Sequence, residues 1–477
     1  MRPIEQASFR DPAGRLFFYQ GRVIRALNAS GAASLEEVWQ AAEKSLKSAA
    51  IVSTRFLDPA ESKELLADPS LAFLKDLGVA ALVEHEPAPF ANYPHEWPPE
   101  MLHAAGALTM RLARNLLKAG IGVKDATPTN VMFWGSKPVF LDVLSFEKRD
   151  PHDPTWLPNA QFVRNFLLPL LVNRRYGIPL NEIFLARRDG LEPEEVYPLL
   201  RPLQRLNPQL FSLVSFPVWF GKKSAESQAL YKPRLLKNAE QAQFVLDAML
   251  KRQERALDRV RPKTGRESSW SDYMTGNNNY SSGGFDAKVS FVRDCLATNR
   301  PAKVLDIGCN TGVFSMLAAE QGASVVSVDY DPVVIGNLWR VAQEKQANVL
   351  PLVVNLGRPS PALGWSNGEC RSFLDRATGA FDAIFMLALI HHLLVSERVP
   401  LPQIFEMARR LTKKWLIVEY VGPSDSMFVR LTRGRGHLHE DYNQKVFEET
   451  ALRYFRIVRS EEVTGSDRRL YLMEVPG

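Results

Sequence analysis

At 477 residues, 45% hydrophobic and 23% charged, the chain has the composition of a soluble globular protein but is too long for one ordinary core, so two or three domains are expected. No run approaches the ~18 apolar residues of a membrane-spanning helix, the first residues lack the apolar stretch of a signal peptide, and three cysteines (Cys295, Cys309, Cys370) exclude a disulfide framework. The net charge of +6 is small for this length and mostly interleaved, which argues against nucleic acid as partner and leaves a cytoplasmic protein with no membrane partner as the expectation.

Phe9 to Leu27 reads as a β-hairpin turning at Gln20-Gly21, and Ser34 with Glu37 reads as a capping box opening a helix over "LEEVWQAAEKSLKSA". "IVSTRFL" is an expected strand, followed by a proline-punctuated connector. Met101 to Ala119 has the period of an amphipathic helix, with Gly120 as its C-cap. "GVKDATPTNVMFWGSKPVFLDVLSF" then reads as loop, strand, turn and strand, and Gln161 to Arg252 as mostly helix. Composition shifts to Gly, Ser and Asn over Thr264 to Phe285, the best domain boundary in the chain. Its aromatics Trp270, Tyr273 and Tyr280 suit either a lid over a ligand or an anchored connection.

Beyond Asp286, "AKVLDIG", "SVVSVDY", "VLPLVVN", "FDAIFML" and "WLIVEYV" alternate with helical patterns, the rhythm of a doubly wound parallel sheet. "YFRIVRSEEV" and "RRLYLMEV" close it as antiparallel strands. The expected division is 1–265 as a mixed α+β, largely helical unit, 266–285 as linker or lid, and 286–477 as an α/β unit.

"VLDIGCNTG" opens at Val304 as strand, glycine turn and helix. Gly308 and Gly312 permit a tight turn and close backbone approach, and the following helix aims its N–H groups at a ligand. Asp329 ends the next strand, where a carboxylate can accept both hydroxyls of a ribose. Asp306 inside the turn would repel a pyrophosphate but can orient an ammonium group. The pattern D-x-G-x-N-x-G therefore resembles class I S-adenosylmethionine-dependent methyltransferases, with a Rossmann-like sheet, over roughly Ser268 to the C-terminus. The resemblance implies that Asp306, Gly308, Asn310 and Gly312 surround the methionine part of the cofactor. By the same resemblance Asp329 meets the ribose, Asn355 the adenine, and Leu387 lies under the sulfonium.

His391 and His392 follow the fourth strand of this unit, in reach of that reaction centre. Either imidazole suits a general base, or one packs on the helix while the other is an exposed cap. Glu419 and Tyr420 are further candidates for touching substrate. Arg433, Arg435 and His437, in a loop after the fifth strand, would suit an anionic or polyhydroxylated acceptor.

In the earlier stretch, Asp125, Asn130 and Asp142 have the spacing of the catalytic core of protein kinases and aminoglycoside-type phosphotransferases, and "PVFLDVLSF" resembles the strand before its last Asp. That resemblance implies Asp125 as base and Asn130 and Asp142 as metal ligands, with Mg-ATP as a second cofactor. Departures are clear: Lys124 precedes the Asp, "DVLSF" replaces Asp-Phe-Gly, and no glycine-rich phosphate loop or strand lysine is present, Arg25 being the nearest basic residue. A kinase-like fold repurposed for binding, an active phosphotransferase, and turn-capping residues of an unrelated domain all remain open.

Across nearly the whole chain, "FANYPHEW", "KDATPTNVMF", "PVFLDVLSFE", "NLGRPSPALGW", "LALIHHL" and "SDSMF" occur in this order. They resemble a bacterial family of two-part methyltransferases that includes host-specific nodulation proteins. The expected activity is transfer of a methyl group, with O-methylation of a polar small molecule or glycan as the working acceptor. A bifunctional phosphotransferase and methyltransferase is the alternative.

Overall fold

The computed structural model describes residues 8–47, 50–224, 235–265, 268 and 282–477. Trp270, Tyr273 and Tyr280 lie outside them. Strands β1 (Gly14–Tyr19) and β2 (Arg22–Leu27) form the expected hairpin; Gln20 and Gly21 both have positive φ, as a type I′ turn requires. With β3 (Thr54–Phe56) and β4 (Ala81–His85) they make an antiparallel sheet of order β1-β2-β4-β3. The expected strand over "IVSTRFL" is thus only three residues long, with Ile51 making an isolated bridge to Phe140.

Helix α1 (Ala29–Lys47) begins before Ser34. Asn28 serves the start instead, its Oδ1 accepting from the Gly31 amide at 2.9 Å, and the small residues that follow carry the helix through Ser34. Helix α2 (Pro99–Leu117) buries Met101, Leu102, Ala105, Leu108, Leu112 and Leu116 on one face, and Gly120 beyond it is left-handed at φ 71°. Short strands β5 (Ile121–Val123), β6 (Val131–Trp134), β7 (Lys137–Phe140) and β8 (Phe146–Lys148) pair antiparallel as β5–β8 and β6–β7. A mainly helical region follows, ending in α3 (Ala239–Arg259).

Helix α4 (Ser282–Asn299) leads into a seven-stranded sheet. Its members are β9 (Lys303–Ile307), β10 (Ser324–Asp329), β11 (Val349–Val353), β12 (Phe381–Met386), β13 (Thr412–Val421), β14 (Arg456–Glu462) and β15 (Arg468–Glu474). The order is β11-β10-β9-β12-β13-β15-β14; the first five strands are parallel, and β15 runs antiparallel to both neighbours. Helices α5 (Val313–Glu320), α6 (Pro332–Glu344) and α7 (Leu401–Leu411) are crossovers. Winding reverses between β9 and β12, which opens a crevice at their C-terminal ends.

The halves share one buried core. Phe90 packs on Phe373 and Phe381 at ring-centroid distances of 6.1 and 5.7 Å. Arg376, buried against the rings of Phe90, Phe373 and Tyr93, pairs with the fully buried Glu96 and donates to the Ala91 carbonyl. Trp339 Nε1 donates to the Ser136 carbonyl at 3.1 Å, and Glu369, also buried, receives Arg10 and Arg188.

Candidate active site

The crevice holds a cavity of about 410 Å³. Its wall runs from the turn after β9, through the end of β10 and the residues after β11, to the segment after β12. Of the residues expected around a cofactor, Asp306, Gly308, Asn310, Asp329, Asn355 and Leu387 line it.

Each wall residue has a local cause. Gly308 sits at φ 72°, where a Cβ would stand 3.1 Å from Cδ1 of Leu389, another residue of the wall. Asn310 is also left-handed, at φ 49°, a conformation Asn tolerates better than most side chains; its Oδ1 accepts from the Thr311 amide at 2.6 Å. Gly312 does not line the cavity. It sits at φ 80° under α6, where a Cβ would stand 2.6 Å from Leu338 Cδ2 and 2.9 Å from Cγ, so its role is close helix packing.

Two carboxylates hold the polar end. Asp329 receives the Asn310 amide on Oδ2 at 3.0 Å and the Asp331 amide on Oδ1 at 3.1 Å. Asp306 receives Ser315 Oγ at 2.6 Å, which in turn receives Ser327 Oγ at 2.8 Å. Burial pushes both carboxyls up to about 6 against these hydrogen bonds. Asn355 spends its Oδ1 on the Gly357 amide at 2.8 Å, closing the turn that follows β11.

At the other end the two histidines separate. His392 lines the cavity, whereas His391 is buried behind it with its ring 4.2 Å from that of His392. His391 Nδ1 has no hydrogen-bond partner among the described residues. Burial lowers His391 well below its ordinary range, so it is a neutral packed ring, not a wall residue. Burial, aided by Arg468, lowers His392 to about 4, which leaves it neutral at physiological pH. Ala388, between the β12 strand and the histidines, is held at φ 51°, a strained conformation for alanine that shapes the floor.

Glu419 and Tyr420 do not reach the cavity. Glu419 is fully buried and paired with Lys288 Nζ at 2.6 Å and Arg468 Nη1 at 3.2 Å; Arg468 also pairs with Asp425 at 2.7 Å. Tyr420 packs among Tyr442 and Phe447. Lys288, which no local motif announces, lines the cavity 5.2 Å from the Phe314 ring, and burial lowers its pKa. Leu431 reaches the wall too, and Arg433, Arg435 and His437 follow it as exposed residues.

The earlier triad is drawn together differently. Ser145 Oγ donates to Asp142 Oδ2 at 2.6 Å and accepts from Asn130 Nδ2 at 3.1 Å. Arg25 Nη1 pairs with Asp142 Oδ1 at 3.3 Å and Asp11 Oδ2 at 3.0 Å. Asp125 joins through its carbonyl, which accepts from Asn130 Nδ2 at 3.3 Å. No cluster of three or more His, Cys, Asp or Glu placed to hold a metal occurs among the described residues.

Comparison with known proteins bears on both halves. The family described as "Methyltransferase domain" matches residues 284–457. The nodulation protein NoeA of Rhizobium meliloti (strain 1021) is 30% identical over 469 residues, covering 98% of this chain and 95% of that protein. Among solved structures, the N-methyltransferase NodS from Bradyrhizobium japonicum WM9 is 14% identical, covers 41% of this chain and 99% of its own, and has a TM-score of 0.30. The magnesium protoporphyrin IX methyltransferase of Synechocystis PCC 6803, solved with SAH, is 18% identical, with coverage of 40% and 84% and a TM-score of 0.30.

Proposed function

The chain belongs to the family of the nodulation protein NoeA and is an S-adenosylmethionine-dependent methyltransferase, and from that premise we propose that it methylates an oxygen of a polar small molecule or glycan at the His392 end of the 410 Å³ cavity. The donor set suits the cofactor. Asp306 offers a buried carboxylate to a cationic amino-acid part, Asp329 a carboxylate to vicinal hydroxyls, and the Gly308 backbone leaves room that a Cβ would fill. Asn355 and Leu356 flank the region suited to a purine, and Leu387 the region between purine and acceptor. When bound, S-adenosylmethionine supplies a methyl carbon whose bond to sulfur breaks as the acceptor oxygen attacks.

The single observation that carries the acceptor assignment is the His392 imidazole on the wall of the cavity that Asp306 and Asp329 also line. A hydroxyl sheds its proton as its oxygen gains the methyl group, and an imidazole nitrogen of His392 can take it. Such a positioned base contributes roughly 10²–10⁴-fold. His391 holds the His392 ring from behind. The basic loop after Leu431 offers cations to an anionic or polyhydroxylated acceptor. The test is methyl transfer from isotopically labelled cofactor into fractionated polysaccharide and metabolite extracts, comparing the unaltered protein with His392→Asn. A labelled oxygen ether, reduced at least a hundredfold in the variant at unchanged cofactor affinity, supports the reading. A labelled amine, or full activity in the variant, refutes it.

For the N-terminal half we propose a kinase-like domain that presents or selects acceptor and does not transfer phosphoryl groups. Its support is the Arg25–Asp142 pair together with the Ser145 bridge between Asn130 and Asp142: a cation and a hydroxyl already occupy the groups a magnesium ion would need. Magnesium-ATP is expected to leave thermal stability unchanged. Stabilisation by magnesium-ATP that Asp142→Ala abolishes would instead establish the bifunctional phosphotransferase reading.

A further inference from the structure

Far along the chain from the cavity residues, the stretch Tyr197 to Ala225 contains four basic residues (Arg201, Arg205, Lys222, Lys223) and no acidic one. It folds as a 3₁₀ turn, Pro202–Leu206, followed by a continuous helix over 208–224. The helix buries Leu210, Leu213 and Val214 against the body. Its far end presents a second apolar face, in which Phe216 and Phe220 are 52% exposed and Trp219 is 45% exposed. A helix apolar on both faces is normally covered on both.

The turn extends that face. Ser215 Oγ donates to the Arg205 carbonyl at 2.8 Å, fastening the turn beside Phe216, and Leu203 and Leu206 project from it, Leu203 at 85% exposure. Phe216 and Phe220 are in ring contact at 4.9 Å, so the aromatic edge is continuous.

We propose that this face is a peripheral attachment surface for an anionic lipid bilayer. Three features favour a bilayer over a protein partner. The leucines protrude singly instead of lining a groove, which suits insertion into a deformable apolar medium more than a complementary surface. Trp219 Nε1 already donates to Tyr197 Oη at 2.9 Å, so the indole can enter an apolar layer with no lost hydrogen bond. The charge beside the leucines is basic: Arg201 and Arg205 flank them in sequence. Aromatics and leucines bordered by lysine and arginine are the composition of interfacial helices. The attachment is one of surface contact; among the described residues no helix is long and apolar enough to cross a membrane.

The test is flotation of the intact protein with vesicles of phosphatidylcholine alone and with a third phosphatidylglycerol, alongside Phe216→Ser/Phe220→Ser and Arg201→Glu. Binding of S-adenosylhomocysteine serves as the check that each variant is folded. The expected result is flotation with the anionic vesicles, at least tenfold weaker in the double serine variant, with the anionic preference reduced in Arg201→Glu. Quenching of tryptophan emission by brominated lipid should also fall in Trp219→Phe. Absence of flotation, flotation unaffected by the serine substitutions, or a protein dimer that the same substitutions dissociate in sedimentation equilibrium would each overturn the proposal. The last outcome would assign the face to a second copy of the chain.

Discussion

Replacing Gly312 by alanine tests whether the second glycine of the turn is a packing residue and not a ligand contact. At φ 80° an L-residue is strained by about 1–2 kcal/mol. The new Cβ would meet Leu338 Cδ2 at 2.6 Å and Cγ at 2.9 Å, and Leu338 is fully buried, so it must shift within a packed layer. Overpacking of that kind costs about 1–3 kcal/mol, for a total of roughly 2–5 kcal/mol. Urea unfolding should show the loss as a lower midpoint at unchanged slope. Leu338→Ala in the same chain should recover part of it, because the clash disappears although a void replaces it. Calorimetric affinity for S-adenosylhomocysteine, measured well below the transition, should change by no more than a few fold. A loss under 0.5 kcal/mol would show that α6 yields easily; unchanged stability with abolished binding would show that Gly312 faces the ligand after all.

Three further outcomes are expected. Asp306 and Asp329 titrate near 6, and a cationic or diol-bearing ligand needs their ionised forms. Affinity for S-adenosylhomocysteine should therefore drop between pH 7 and pH 5, by about tenfold per carboxylate involved, and a flat profile would refute the assignment. For the ligand-free fold the sign is opposite: their raised values contribute stability fully present below 3.8 and lost as pH rises through about 6, which thermal melts across that window would detect. Arg376→Met strands the buried Glu96 carboxylate and should cost about 3–5 kcal/mol in urea unfolding, with Glu96→Gln in the same chain recovering at least 1 kcal/mol; no loss would mean the junction is not held by this pair.

The C-terminal architecture was legible because strand runs, glycine turn and acidic strand ends are local signals. Asp306, Gly308 and Asp329 were placed around one ligand by the methyltransferase resemblance of their motif, and all three line the cavity. Gly312 and Gly308 could not be told apart, since what distinguishes them is a distant contact in each case: Leu338 of the packed helix α6 over Gly312, and the cavity-lining Leu389 beside Gly308. His391 and His392 looked equivalent until the π-turn at His392–Ser396 sent one ring to the wall and the other into the core. Lys288 gave no signal: it meets Glu419 across 131 residues of chain. Glu96 and Arg376 are 280 residues apart, so the shared core of the two halves was likewise invisible to any local pattern. At Ser34 a good capping box lost to Asn28, because the small residues between them extend the helix toward the N-terminus.

The most direct measurement is calorimetric titration of the intact protein with S-adenosylhomocysteine, repeated with Asp329→Ala. One site per chain is expected, weakened at least tenfold in the variant, and a ligand at a hundred times its dissociation constant should also add ~2.7 kcal/mol to stability. No heat and no stabilisation with S-adenosylhomocysteine, or binding that Asp329→Ala leaves intact, would contradict the placement of the cofactor in this cavity.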